Sequence, residues 1–203
     1  MEFAEVVRKR RMIRRYDPGR TIDRATLTEL IELATRAPSA GFTQGWHFLV
    51  LDTTEDRQLF WRAATDASAE PDAWLAGMRA APVLVLALCD KSAYLDRYAE
   101  PDKGWTDRDE ARWSAPYWHI DTGMAALLVL LGATDRGLGG CFFGVPAERR
   151  DALRAALSIP ARLEFTGVVS LGHAAPTSRR SRSLRRGRRP LADVVHFGRM
   201  ADS

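Results

Sequence analysis

The sequence predicts a single domain, residues 1–203, in which helices and strands share one core. Three stretches carry that reading. Pro82 to Cys89 (PVLVLALC) is an unbroken apolar run of strand length, the pattern of a central strand buried on both faces. Met124 to Leu131 is apolar on every side of a 3.6-residue period and reads as a helix buried all round, with a subunit interface as its second surface. Leu138 to Gly144 (LGGCFFG) reads as a short strand with glycines at both ends, where the backbone can be approached closely by another group.

Taken in order, residues 2–10 fit a first helix with Phe3, Val6, Val7 and Arg10 on one face. The segment 10–19 alternates and closes on Asp17-Pro18-Gly19, so it reads as extended chain and a turn. A helix follows from about Arg24 to Ala37, with Asp23 as N-cap, Leu27, Leu30, Ile31 and Ala34 as buried stripe, and Pro38 as stop. A loop leads into a strand from His47 to Asp52, and Thr53/Thr54 open a helix to roughly Asp66. Another helix spans Pro71 to Arg79, ahead of the central strand. Residues 91–115 mix aromatic rings with charges and read as an excursion over a site. The greasy helix ends at Gly137. Pro146 opens the next helix, which buries Leu153 and Leu157 and ends before Pro160. Glu164 to Leu171 is the last core strand, and Leu191 to Phe197 is a candidate terminal strand.

Charge is unevenly placed. The net charge is +4, yet the arm 179–203 holds eight Arg and two Asp, a net of +6, so the rest of the chain carries −2. Arg10/Arg11/Arg14/Arg15 and Arg179 through Arg189 form two arginine clusters that could converge on one phosphate, or could be solvated faces. The arm lacks the interleaved aromatics of a single-strand binder and the body is slightly acidic, which argues against nucleic acid. The apolar run 123–133 is shorter than the ~20 residues a membrane span requires. The charged N-terminus, MEFAEVVRKRR, is no secretory signal. Cys89 and Cys141 lie in apolar runs and read as buried free thiols of a reducing cytoplasm, with no metal site expected from so few ligands. No nucleophile–base set stands out. His47 and His119 read as packed histidines, and no P-loop or dinucleotide fingerprint is present, so an enzyme of this sequence would rely on a cofactor.

Four motifs in order resemble the FMN-dependent nitroreductase family: Arg10-Arg11-Met12-Ile13-Arg14-Arg15-Tyr16-Asp17, the loop Ala37 to Phe48, Gly137 to Gly144, and Arg186-Gly187-Arg188-Arg189-Pro190-Leu191 with Val194-Val195. The resemblance implies an α+β fold with a central mixed sheet flanked by helices. It also implies an intertwined homodimer with FMN at each interface and C-terminal strand exchange. By the same carry-over, Arg10, Arg11, Arg186 and Arg188 would hold the FMN phosphate and Arg14 would lie by the pyrimidine edge of the ring. Met12, Pro38, Ser39, Ala40, Phe42, Gln44, Phe142 and Phe143 would line the cofactor, and the Gly144 amide would face N5. No side chain is assigned a catalytic role. Met12 stands where the family has a small polar residue, Phe42 where it has asparagine, and Gly45 where it has proline.

The function so implied is hydride transfer from NAD(P)H through FMN to a flat acceptor such as a nitroaromatic or quinone. Tyr94, Tyr98, Trp105 and Trp113 are the candidate substrate lid. Two other readings are a flavin-storage protein without turnover and a specialised reductase acting on another ligand.

Overall fold

The computed structural model describes residues 1–66, 71–179 and 181–200; Arg180 of the second arginine cluster and residues 201–203 of the arm lie outside them. Strand β2 (Val83–Asp90) is buried at every position. On one side it pairs with β1 (Trp46–Leu51) and on the other with β4 (Leu163–Gly172), and β3 (Gly139–Phe143) completes the order β1-β2-β4-β3. All of these pairings are antiparallel. The described residues therefore form no mixed sheet. The segment that would extend β3 in parallel makes one isolated bridge, Met12–Gly140, before leaving for a second bridge at Tyr16–Ala174.

Side chains of β2 alternate between two cores, as a strand's period of two requires. Leu84, Leu86 and Leu88 enter one with Phe60 and Trp61 of α3 (Thr54–Ala64), Met78 of α4 (Ala73–Arg79) and Leu153 of α7 (Arg150–Ala156). Val83, Val85 and Ala87 enter the other with Leu27 and Leu30 of α2 (Arg24–Ala34) and Ala125 and Val129 of α6 (Tyr117–Asp135). Side-chain caps open α2, α3 and α4, where Asp23, Thr53 and Asp72 accept from the amides of Thr26, Asp56 and Leu75. Each such cap is worth ~1 kcal/mol. At the other end of α6, Gly137 takes φ 70° while Leu138 N donates to Ala133 O and Gly137 N to Thr134 O, a Schellman stop.

Within one chain α6 leaves Tyr117, Ile120 and Leu127, spaced on one face, 37%, 42% and 46% exposed, on the helix to which the sequence assigned a subunit interface as its second surface. The first helix, α1 (Phe3–Lys9), buries only Val6 and leaves Phe3 and Val7 in the open. Residues 191–197 form no strand; they make a 3-10 turn at Leu191–Asp193 and stay exposed, because the arm reaches no sheet edge of its own chain. The excursion 91–115 opens as a regular helix, α5 (Lys91–Ala99), capped by Asp90.

One glycine ties the helical layer to the arginine-rich segment. Gly77 lies inside α4, where alanine ordinarily stabilises by ~1 kcal/mol. Here an added Cβ would collide with the carbonyl oxygen of Arg14 and crowd the Arg15 side chain. Gly77→Ala is accordingly expected to destabilise by roughly 1–3 kcal/mol, read as a fall in melting temperature, and a rise would show that Arg14 yields freely.

Candidate functional site

The segment from Arg10 to Tyr16 is laid along β3. Ile13 N donates to Gly140 O at 2.9 Å. The Ile13 side chain covers Gly139, where a Cβ would meet Ile13 Cγ1 at 2.7 Å. Tyr16 is locked beneath, its hydroxyl 2.8 Å from Ile13 O and 2.8 Å from Ser170 Oγ, and burial pushes its ionisation well above the usual phenol range. So anchored, the segment holds Arg10 and Arg14 half-buried and Arg11 exposed. Arg10 Nη1 is buried with no hydrogen-bond partner. An unpaired buried guanidinium N–H is costly, and it marks this end of the sheet as a place for an anion. Arg14 lies close enough to Cys141 to favour its thiolate, although burial outweighs it and raises that thiol.

Met12 does more than replace a polar residue: its sulfur accepts from the Phe142 amide at 3.4 Å. The rings of Phe142 and Phe143 leave β3 on opposite faces. Phe142 covers Gly167, and Phe143 stacks on Trp61 at 5.9 Å and 6°. Both side chains are thus committed to packing, and what β3 can present to a ligand is backbone. Gly144, just past the strand, is exposed, and a Cβ there would meet nothing within 4 Å.

The Pro38–Gln44 loop lies elsewhere, at the start of β1. Gly41, Phe42 and Gln44 adopt φ of 61°, 55° and 54°, which costs a non-glycine residue roughly 1–2 kcal/mol each. External bonds impose this shape. Asp121, 2% exposed in α6, accepts from Ala40 N at 2.8 Å and from Tyr94 OH at 2.9 Å. Arg97 Nε donates to Gly41 O, Asp90 N donates to Gly45 O, and Ser39 Oγ accepts from Gln44 N. Gly45 is required where proline was noted as usual, since any Cβ would press on the Tyr94 ring. Pro38, Phe42 and Gln44 remain exposed, Phe42 at 76%.

Tyr94 is therefore not a lid residue. It is wholly buried and braces the loop through Asp121. Burial, then the neighbouring carboxylate, raises its phenol well above the usual range. Tyr98, Trp105 and Trp113 pack tilted and edge-on against one another, with ring centroids 4.4 Å, 5.0 Å and 5.5 Å apart pairwise, and Tyr98 backs Gly41.

No hydrogen bond among the described residues joins the two halves within one chain. The loop borders the β1 edge, while Arg10, Met12 and Gly144 border the β3 edge. Three strand spacings of ~4.8 Å separate those edges, or about 14 Å. Arg186 and Arg188 are exposed, and no bond among the described residues joins either to the Arg10–Arg14 segment. Sequence reasoning missed Asp121, Arg97 and Gly77. The available signal for Asp121 was a lone acid at the mouth of an apolar helix.

The frame is α+β: an antiparallel sheet with helices on both faces, an arginine-lined segment on one edge and a strained loop on the other. Residues 7–173 match the Nitroreductase family, and the chain belongs to that family. It is 32% identical over 211 aligned positions to an NADH dehydrogenase of Thermus thermophilus, covering 92% of this chain and 91% of that one. It is 29% identical to a 4-nitrobenzoate reductase of Nocardioides sp., covering 84% and 80%. A stronger but local likeness, 44% over 57 residues, covers 28% of this chain and 27% of a Bacillus subtilis relative named for NAD(P)H nitroreductase activity, YdgI. Among solved structures, a protein of the nitroreductase type from Exiguobacterium sibiricum in complex with FMN superposes with a TM-score of 0.77 at 22% identity over 97% of both chains. No helix among the described residues is long and apolar enough to cross a membrane.

Replacing Asp121 by alanine strands the Ala40 amide and the Tyr94 hydroxyl in a dry setting. The expected loss is about 2–4 kcal/mol of stability, measured by urea unfolding, and an unchanged midpoint would show the loop holds its shape unaided.

Proposed function

We propose that this chain is an FMN-dependent oxidoreductase that takes a hydride from NAD(P)H and delivers it to a flat acceptor such as a nitroaromatic or a quinone. The observation that carries the reading is the buried, unpartnered Arg10 Nη1 beside β3. The residues present fit FMN. Arg10 and Arg11 would hold its phosphate, with Arg186 and Arg188 joining as the arm folds over. Arg14 would set a cation at the electron-poor edge of the ring, and the unobstructed backbone at Gly144 would let a flat ring approach. FMN, when bound, supplies the carrier that accepts the electron pair from the nicotinamide and releases it to the acceptor.

The chain's own contribution is binding and orientation. Its loop adds the Ser39 hydroxyl, whose oxygen already accepts from Gln44 N and whose proton is left to donate. Because loop and arginine segment lie on opposite edges of the sheet, one site draws its loop from a second copy of the chain. The exposed stripe Tyr117, Ile120 and Leu127 supplies an apolar surface for that pairing. The groove between α2 and β1, a cavity of about 370 Å³ with Leu27, Ile31 and Val50 in its wall, would receive the partner's 191–197 arm as an added strand. The names of the Thermus and Nocardioides relatives support a nicotinamide donor and a nitro acceptor.

Anaerobic titration tests the reading. Protein incubated with FMN should turn yellow, lose colour on addition of NADPH or NADH, and regain it with a nitroaromatic or quinone. A protein that keeps FMN and never bleaches is a storage protein instead. Arg10→Ala should weaken FMN binding by about 1.5–3 kcal/mol, the value of a charge-assisted hydrogen bond, while the flavin-free protein melts at an unchanged temperature. Leu127→Arg places a charge in the apolar stripe. Sedimentation should then find the single chain of 22.7 kDa in place of a dimer, with flavin lost in parallel; a flavin-loaded dimer would refute the shared site.

A further inference from the structure

Three metal-ligating side chains that neither half-site uses converge at one end of the sheet. Cys89 and Glu164 are direct partners across the β2–β4 ladder, so their side chains share a face. Thr166, two residues further along β4, shares it too. The first turn of α6 brings His119 onto the same face. Its Nδ1 is 3.3 Å from Cys89 Sγ and 2.9 Å from Thr166 Oγ1, and its Nε2 is 3.2 Å from Glu164 Oε2. One ligand atom from each of Cys89, His119 and Glu164 lies within 4.8 Å of the others. Two cysteines in an Arg-rich sequence argued for no metal; the fold assembles a mixed set from positions 75 residues apart, which no local spacing could announce.

We propose that Cys89, His119 and Glu164 bind a divalent transition-metal ion, zinc being the fitting one. A thiolate, an imidazole and a carboxylate are the donor types that Zn²⁺ takes, and the sulfur and nitrogen exclude Mg²⁺ and Ca²⁺ as preferred occupants. Zinc bonds of ~2.0–2.3 Å would draw the three ligand atoms around one ion, with one ring nitrogen of His119 turned to it. The Thr166 hydroxyl or a water completes a fourth position. Coordination replaces the thiol proton, which leaves to solvent, so the ion enters as Cys89–SH gives Cys89–S–Zn and one H⁺. The surroundings suit entry from outside: Cys89 is fully buried, whereas the side chains of His119 and Glu164 are 32% and 39% exposed. Lys91 is the competing cation. Its 2.9 Å bond to Glu110 is shorter than its 3.7 Å approach to Glu164, so it can withdraw without losing its partner. The ion would join the end of β2, the start of β4 and the first turn of α6, next to the helix that braces the Pro38–Gln44 loop. This is a structural tether, independent of the flavin reading.

The test is equilibrium dialysis of the full-length protein as purified, first stripped with a chelator, against micromolar ZnCl₂, with zinc counted per chain. Wild type and Cys141→Ser are expected to retain one ion per chain, and their melting temperature to rise with zinc. Cys89→Ser should fall to background. Glu164→Gln, a milder change at a half-exposed position, should bind at least 10-fold more weakly while its zinc-free melting temperature stays that of wild type. No retained zinc in wild type, or equal zinc in wild type, Cys89→Ser and Glu164→Gln, would overturn the proposal and assign any binding to surface histidines.

Discussion

Everything in this fold follows from a strand that water cannot touch. Each side chain of β2 is apolar except that of Asp90, which caps α5 and pairs with Arg162, and both of its faces must be covered. Three helices close one face and two close the other, which leaves only the outer edges of the sheet for binding. The arginine segment takes one edge and the strained loop the other. A central strand with a single solvated face would have left room for a complete site on the open surface. On the function proposed above, the site is divided instead, and that division would give the exposed side of α6 a purpose.

The sequence was legible wherever one residue type answers one physical demand. The apolar run 82–89 could only be a doubly covered strand, and Asp23, Thr53 and Gly137 marked helix ends through capping chemistry that is local in sequence. The arginine motif and the Pro38 loop were legible as motifs. What could not be read was anything created by contacts between distant positions. Asp121 reaches back 81 residues to Ala40, and Tyr94 looked like a mobile ring because its charged neighbours concealed that it points inward. The Leu191–Phe197 stretch has strand composition, but a strand also needs an edge to bond to, and the chain alone provides none for it.

Residues 91–115 show how a segment mixing rings with charges is accommodated. The rings pack against one another while Arg97, Arg108 and Arg112 pair with Asp102, Asp96 and Asp107 around the rim. Surface ion pairs of this kind contribute little individually. Their effect is to let an aromatic cluster face outward without leaving charges unmatched.

The loop bears one more implication, for how this protein could change over generations. Its left-handed turns are enforced by Asp121, Arg97 and Tyr94, none of which belongs to the loop itself. Position 42 inherits its backbone shape from those distant neighbours and owes little to its own side chain, which projects freely. Variation there is uncoupled from the scaffold. Lineages descended from such a chain can exchange the residue at this exposed position, and on the proposed function with it the molecules admitted, while the architecture that shapes the loop stays under separate selection.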